Sequence, residues 1–124
     1  MKLRFRQDSL RIRLNRHEAQ GLAQGAILEE KVHFPGDTDF RYILQGSRIP
    51  SPDVSFTDGV IRIRAPQGEL KDWASGDSIG LYFDLPAKQT TLRVAIEKDL
   101  ECVDGSPDEG DPDAFPRDRL RKNC

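Results

Sequence analysis

Six arginines have the type and spacing to do chemistry. Arg4 and Arg6, Arg11 and Arg13, and Arg62 and Arg64 alternate with apolar residues. A guanidinium presents a planar fork of donors that suits phosphate and carboxylate oxygens. On neighbouring strands, about 4.8 Å apart, the six would form a basic patch for an anionic ligand or a protein partner. The same patch would serve nucleic acid through phosphate contacts, with affinity falling steeply with salt. The net charge of -2 opposes that use, as do Asp8 and Asp58 in the adjoining turns and the absence of interleaved aromatics for base stacking. Alternating arginine also solvates a strand and blunts aggregation.

Other chemistry finds less support. His17 and His33 have no cysteine or second histidine at ligand spacing. The serines lack a nucleophile-elbow context, and there is no glycine-rich phosphate loop. Asp108-Glu-Gly-Asp-Pro-Asp lacks the frame of a calcium-binding loop. No catalytic set, metal site or cofactor motif is read from the chain, so the expectation leans away from an enzyme.

Charge is unevenly distributed. Residues 1–64 carry 11 basic and 8 acidic side chains, whereas residues 65–124 carry 8 and 13. Eight acids fall within Glu97–Asp113. One expectation is that this acidic stretch folds back over the arginines, anchored by Phe115 in an apolar groove. The other is a solvated polar tail. Cys102 and Cys124 are read as free thiols, because no apolar h-region follows the charged first residues. With 32% charged residues, mean hydropathy of -0.63 and no long apolar run, a cytoplasmic protein without membrane spans is expected.

The elements that would position these residues occur twice. Shifted by 51 positions, Leu3–Gly36 lies over Val54–Ala87, with eight identities in 34 pairs. Lys2–Arg6 and Ser9–Leu14 alternate as strands, matched by Val54–Thr57 and Val60–Ala65 across an Asp58-Gly59 turn. Asn15 with Glu18 forms a capping box, and Gly25 supplies a left-handed helix stop. Pro66 opens the second helix and Gly76 ends it. The next strands, Ile27–Phe34 and Ser78–Leu85, point Leu28, Glu30, Val32 and Phe34, or Ile79, Leu81, Phe83 and Leu85, inward. Proline-bearing turns close them at Pro35-Gly36 and Pro86-Ala87, and a fourth strand follows in each half. Glu30, opposite Leu81, breaks the echo, and a carboxylate at such a position is costly unless paired.

The fold class expected is mainly β with two short helices, a pseudo-twofold barrel of two strand–strand–helix–strand–strand repeats. Residues 1–103 form this domain, with repeats at 1–51 and 52–103. Residues 104–124 form an acidic, then basic, tail. A monomer is favoured over a homodimer because both repeats lie in one chain. Glu30, Cys102 and Phe115, having no counterpart in the other half, are the asymmetric candidate residues.

Two resemblances add to this. The run Val60–Tyr82, through Pro66, Leu70, Gly76 and Asp77, resembles the unit of swapped-hairpin (cradle-loop) barrels found in bacterial transition-state regulators and antitoxins. The first half departs from it at Asn15 and Ala26. That resemblance implies the barrel, with DNA binding as one use of it. The whole chain also resembles a group of small, uncharacterised bacterial proteins, through Met1–Arg6, Glu97-Lys98-Asp99, Cys102 and Asp113-Ala114-Phe115-Pro116. The whole-chain resemblance supplies no activity. The function expected is a small non-enzymatic binding or interaction module, with a nucleic-acid-binding regulator as the alternative and an enzyme built from dispersed residues as a third.

Overall fold

A computed structural model describes residues 1–100 together with Asp113 and Phe115. Eight strands and two helices run in the order β1 (Lys2–Arg6), β2 (Ser9–Leu14), α1 (Arg16–Ala23), β3 (Leu28–Phe34), β4 (Thr38–Ser47), β5 (Asp53–Thr57), β6 (Val60–Pro66), α2 (Gln67–Ser75), β7 (Gly80–Ala87) and β8 (Thr90–Lys98). The protein is mainly β, with the duplicated order that the sequence implies.

The halves are interleaved. One sheet has the strand order β1-β2-β8-β7 and the other β3-β4-β6-β5. Each sheet thus joins one hairpin of the first half to one of the second, through the parallel pairs β2–β8 and β4–β6. No strand pairing joins the two sheets among the described residues. They pack around one core as two four-stranded sheets, a barrel-like arrangement of the kind expected from the sequence.

The core follows from period-two alternation. Leu10, Ile12 and Leu14 of β2 and Ile61, Ile63 and Ala65 of β6 are buried, as are Leu44, Val94 and Ile96. Each large apolar side chain so buried contributes about 1.5–3 kcal/mol. The helices add Ala19, Leu22, Leu70 and Trp73 to the same cluster. Where the second half has the small Ala65 in place of Leu14, it has the large Trp73 in place of Leu22, so core volume is exchanged between strand and helix.

Local signals explain the helix ends. The Asn15 side chain accepts from the Glu18 N–H at 2.9 Å, and Glu18 accepts from the Asn15 N–H at 3.0 Å. Gly25 adopts φ 97°, letting Ala26 N–H reach Gly21 O and Gly25 N–H reach Leu22 O. Gly76 ends α2 differently. Its backbone is extended, and a Cβ there would come within 2.8 Å of Asp72 O, so close approach rather than handedness requires glycine. Gln67, at the start of α2, donates to Leu22 O and Ala23 O at the end of α1, tying the two helices together.

Three further readings are corrected. The 51-residue offset holds through the first hairpin and helix but not beyond. Leu28 lies opposite Leu44 as Leu81 lies opposite Ile96, an offset of 53 in the third strands. Glu30 therefore corresponds to Phe83 rather than to Leu81. Pro86 and Ala87 belong to β7, and the turn after them is Lys88-Gln89, one residue shorter than Pro35-Gly36-Asp37. Pro86 fits there because β7 is an edge strand. Val32 and Phe34 share the inward face, yet they are exposed because β3 runs past the core toward its turn.

Candidate functional site

The outer face of the β1-β2-β8-β7 sheet gathers most of the arginines. Register stacks its outward positions in three rows: Lys2, Arg13, Glu97 and Gly80; Arg4, Arg11, Ala95 and Tyr82; and Arg6, Ser9, Arg93 and Asp84. Six basic side chains stand against two acidic ones. Arg4, Arg6, Arg11, Arg93, Tyr82 and Asp84 border a groove of about 520 Å³, with Ser9 and the small Ala95 also lining it. That volume lies within the range of small-molecule sites, about 300–1,000 Å³.

Glu97 organises one side of this face. Its Oε1 lies 3.1 Å from Arg11 Nε and 3.6 Å from Arg13 Nε. Its Oε2 accepts from the Tyr82 hydroxyl at 2.7 Å. Lys2 is 2.8 Å from Asp99. Arg4, Arg6 and Arg93 make no side-chain ion pair among the described residues.

Arg62 and Arg64 are separated from the other four. They lie on β6, in the opposite sheet, so the single patch expected from the sequence is divided. That outer face has four basic residues, Lys31, Arg41, Arg62 and Arg64, against Glu29, Asp39 and Asp53. Each of its three arginines has an acid or amide beside it. Arg64 forms a two-pronged bond to Asp53, with Nε to Oδ1 at 2.9 Å and Nη2 to Oδ2 at 2.5 Å. That hydrogen bonding raises the Arg64 pKa further above its ordinary value. Arg62 donates to Gln45 at 2.6 Å, and Arg41 lies 3.2 Å from Glu29. His33, exposed, is 2.7 Å from Asp39.

The asymmetric candidates fall elsewhere. Glu30 sits on the inward side of edge strand β3, but its side chain is 46% exposed and lies 3.7 Å from the Met1 amino group. Glu18 also pairs with that amino group. Tyr42, opposite Glu30, donates to Met1 O at 3.3 Å. Burial, with the charges of Glu30 and Glu18 adding to it, raises the Tyr42 pKa. Phe115 packs against the core, and its N–H donates to Asp99 O at 2.7 Å. Lys98 Nζ and the Arg16 guanidinium stand 5.2 and 5.9 Å from its ring centre. Asp113 lies at the start of α1, where its O and Oδ2 accept from the Arg16 and His17 N–H groups, each at 2.8 Å. It therefore complements a helix N-terminus rather than the arginine face. Cys102, Cys124 and the rest of the 104–124 tail lie outside the described residues.

Sequence reasoning missed Arg93, Tyr82 and Ala95 as parts of the groove, and Glu97 as the acid beside it. Only the β2–β8 pairing brings them beside Arg4 and Arg11, and no local pattern announces that pairing. Among the described residues, no three His, Cys, Asp or Glu side chains gather as a metal site, and no helix is long and apolar enough to cross a membrane. Searches of curated proteins and of solved structures find no match to the chain. A family model does match, over residues 1–119, and the chain belongs to the DUF7009 family, a family of unknown function.

Proposed function

We propose that this chain is a small, non-enzymatic binding module that receives an anionic ligand on the outer face of its β1-β2-β8-β7 sheet. One observation carries the reading. Arg4, Arg6 and Arg93 border a groove without ion-pair partners among the described residues, whereas the arginines of the opposite sheet are matched by Asp53, Gln45 and Glu29. Charge-assisted bonds from such guanidinium groups to phosphate or carboxylate are the strong class of hydrogen bond. Titration with inorganic pyrophosphate tests this. Replacing Arg4 and Arg93 by Gln should weaken binding at least about tenfold, on the scale of one to two charged hydrogen bonds. Replacing Arg62 and Arg64 should leave it unchanged. Equal losses from both pairs would defeat the assignment of the site to this face.

The second reading is a nucleic-acid-binding regulator. The exchange of hairpins between halves favours it, because this arrangement is what the resemblance to swapped-hairpin barrels of bacterial regulators leads one to expect. A bacterial source and a cytoplasmic location belong to the same reading. Duplex DNA and RNA titrated across salt separate the two readings, since a phosphate-tracking surface loses affinity steeply with salt. A flat response at low salt removes the regulator. Both readings take the module, residues 1–103, as a monomer, because each half finds its strand partners within the chain. Light scattering on the eluted protein tests that.

A further inference from the structure

We propose that the groove is a nucleoside phosphate site, with Tyr82 as the stacking platform for the base and Arg11, Arg4 and Arg6 as the phosphate end. This rests on the anion-binding reading above and names the ligand class of that same face.

Tyr82 is 62% exposed although it is a large aromatic residue. Its ring is nonetheless fixed. The hydroxyl donates to Glu97 Oε2 at 2.7 Å. The hydroxyl end lies over Gly80, where an added Cβ would meet Oη at 2.7 Å and Cζ at 2.8 Å. The missing side chain at residue 80 thus lets the ring lie along the sheet rather than stand away from it. A ring tethered along the sheet beside a cationic groove can serve base stacking, and every base has a π-face to offer.

The spacing also fits. Tyr82, Ala95, Arg11 and Arg4 occupy one row across four strands. Arg11 is two strand spacings from Tyr82, about 10 Å, and Arg4 one further. The small Ala95 leaves room between them for a sugar. Asp84 sets the polarity. Next outward along β7 from Tyr82, its carboxylate repels phosphate and can accept from sugar hydroxyls or a base amine. The phosphate end therefore lies toward β2 and β1. A groove of about 520 Å³ in a protein of net charge -2 favours one free nucleotide over a long polyanion.

Calorimetry on the full chain with adenosine diphosphate, pyrophosphate and a short single-stranded RNA tests the proposal. Adenosine diphosphate is expected to bind about tenfold more tightly than pyrophosphate, the scale of one base–aromatic stack. Tyr82→Leu should abolish that margin while leaving pyrophosphate affinity in place, and Tyr82→Phe should keep most of it. Gly80→Ala, which displaces the ring without removing it, should shrink the margin as well. Equal affinities for adenosine diphosphate and pyrophosphate in the unaltered protein would overturn the stacking site while sparing the anion groove. Binding of neither would overturn the groove itself. Affinity that climbs with RNA length would overturn the free nucleotide in favour of a strand.

Discussion

Replacing Glu97 by Gln separates what stabilises this fold from what the arginine face binds. Glu97 is nearly buried, and its carboxylate lies 3.1 and 3.6 Å from the Nε atoms of Arg11 and Arg13. At an effective dielectric near 20, each such pair attracts by about 5 kcal/mol before desolvation is counted. Arg11 is 43% and Arg13 32% exposed, so solvent screening and the desolvation of Glu97 remove most of that. Gln keeps an acceptor for the Tyr82 hydroxyl. A net loss of about 2 kcal/mol remains, equivalent to a fall of about 8 °C in Tm for a chain of this size. Binding should move the other way. Removing a negative charge about 8 Å from a bound anion is worth about 0.5 kcal/mol in water, so pyrophosphate should bind two- to threefold more tightly at about 20 mM salt. Denaturant titration and calorimetry on the same preparation read both quantities. If pyrophosphate affinity falls together with stability, Glu97 belongs to the binding surface and does not restrain its arginines, and the charge argument fails.

Three other substitutions probe the scaffold. Phe115→Ala should destabilise the protein by about 2 kcal/mol, from lost apolar burial and two cation–ring contacts, and a change below about 0.5 kcal/mol in urea unfolding would show that the ring does not anchor the chain. Asn15→Ala should cost about 1 kcal/mol through the lost capping box, read in the same assay; an unchanged midpoint would mean that Asp113 alone satisfies the start of α1. Burial lowers the Lys98 pKa, against a smaller opposing effect of Asp77. Between that lowered value and the unfolded value of about 10.4, the unfolded chain holds more protons, so stability rises with pH. Unfolding midpoints from about pH 7 to 10.5 should show the unaltered protein gaining on Lys98→Met, and a gap that stays constant or widens the other way would refute the assignment.

The elements legible in the sequence were those whose local chemistry is strong. The ends of β1 and β2, the capping box and the Asp58-Gly59 turn follow from alternation and side-chain geometry; both turn residues have positive φ, 52° and 76°. The third strands were legible as strands but not in register. Pro35 and Pro86 coincide in a gapless alignment, yet one sits in a turn and the other within β7. The extra residues responsible lie in exposed connections, where no periodicity reports an insertion. Arginine positions on the strands were legible too, but their grouping was not. Whether Arg62 shares a face with Arg4 depends on which hairpins pair, as β2 does with β8 more than 80 residues away, and single-strand periodicity carries no information about that.

Comparing the two sheets position by position locates the site more sharply than either half alone. Ladder register equates Arg4 and Arg6 with Ser55 and Thr57, Ala95 with Ile43, Glu97 with Gln45, and Tyr82 with Glu29. Inward positions have little freedom to differ, because both halves must fill one core and a change in one side chain has to be offset by another, as Ala65 is by Trp73. Outward positions carry no such constraint, so scattered differences would be expected there from solvation alone. The differences are not scattered. On one sheet they add cation, remove bulk from the centre and fix an aromatic ring beside the cleared space. On the other they supply an acid or amide to each arginine. The second arrangement balances each arginine locally. The first leaves like charges facing one another across adjacent strands, which destabilises a sheet unless something anionic comes to lie between them.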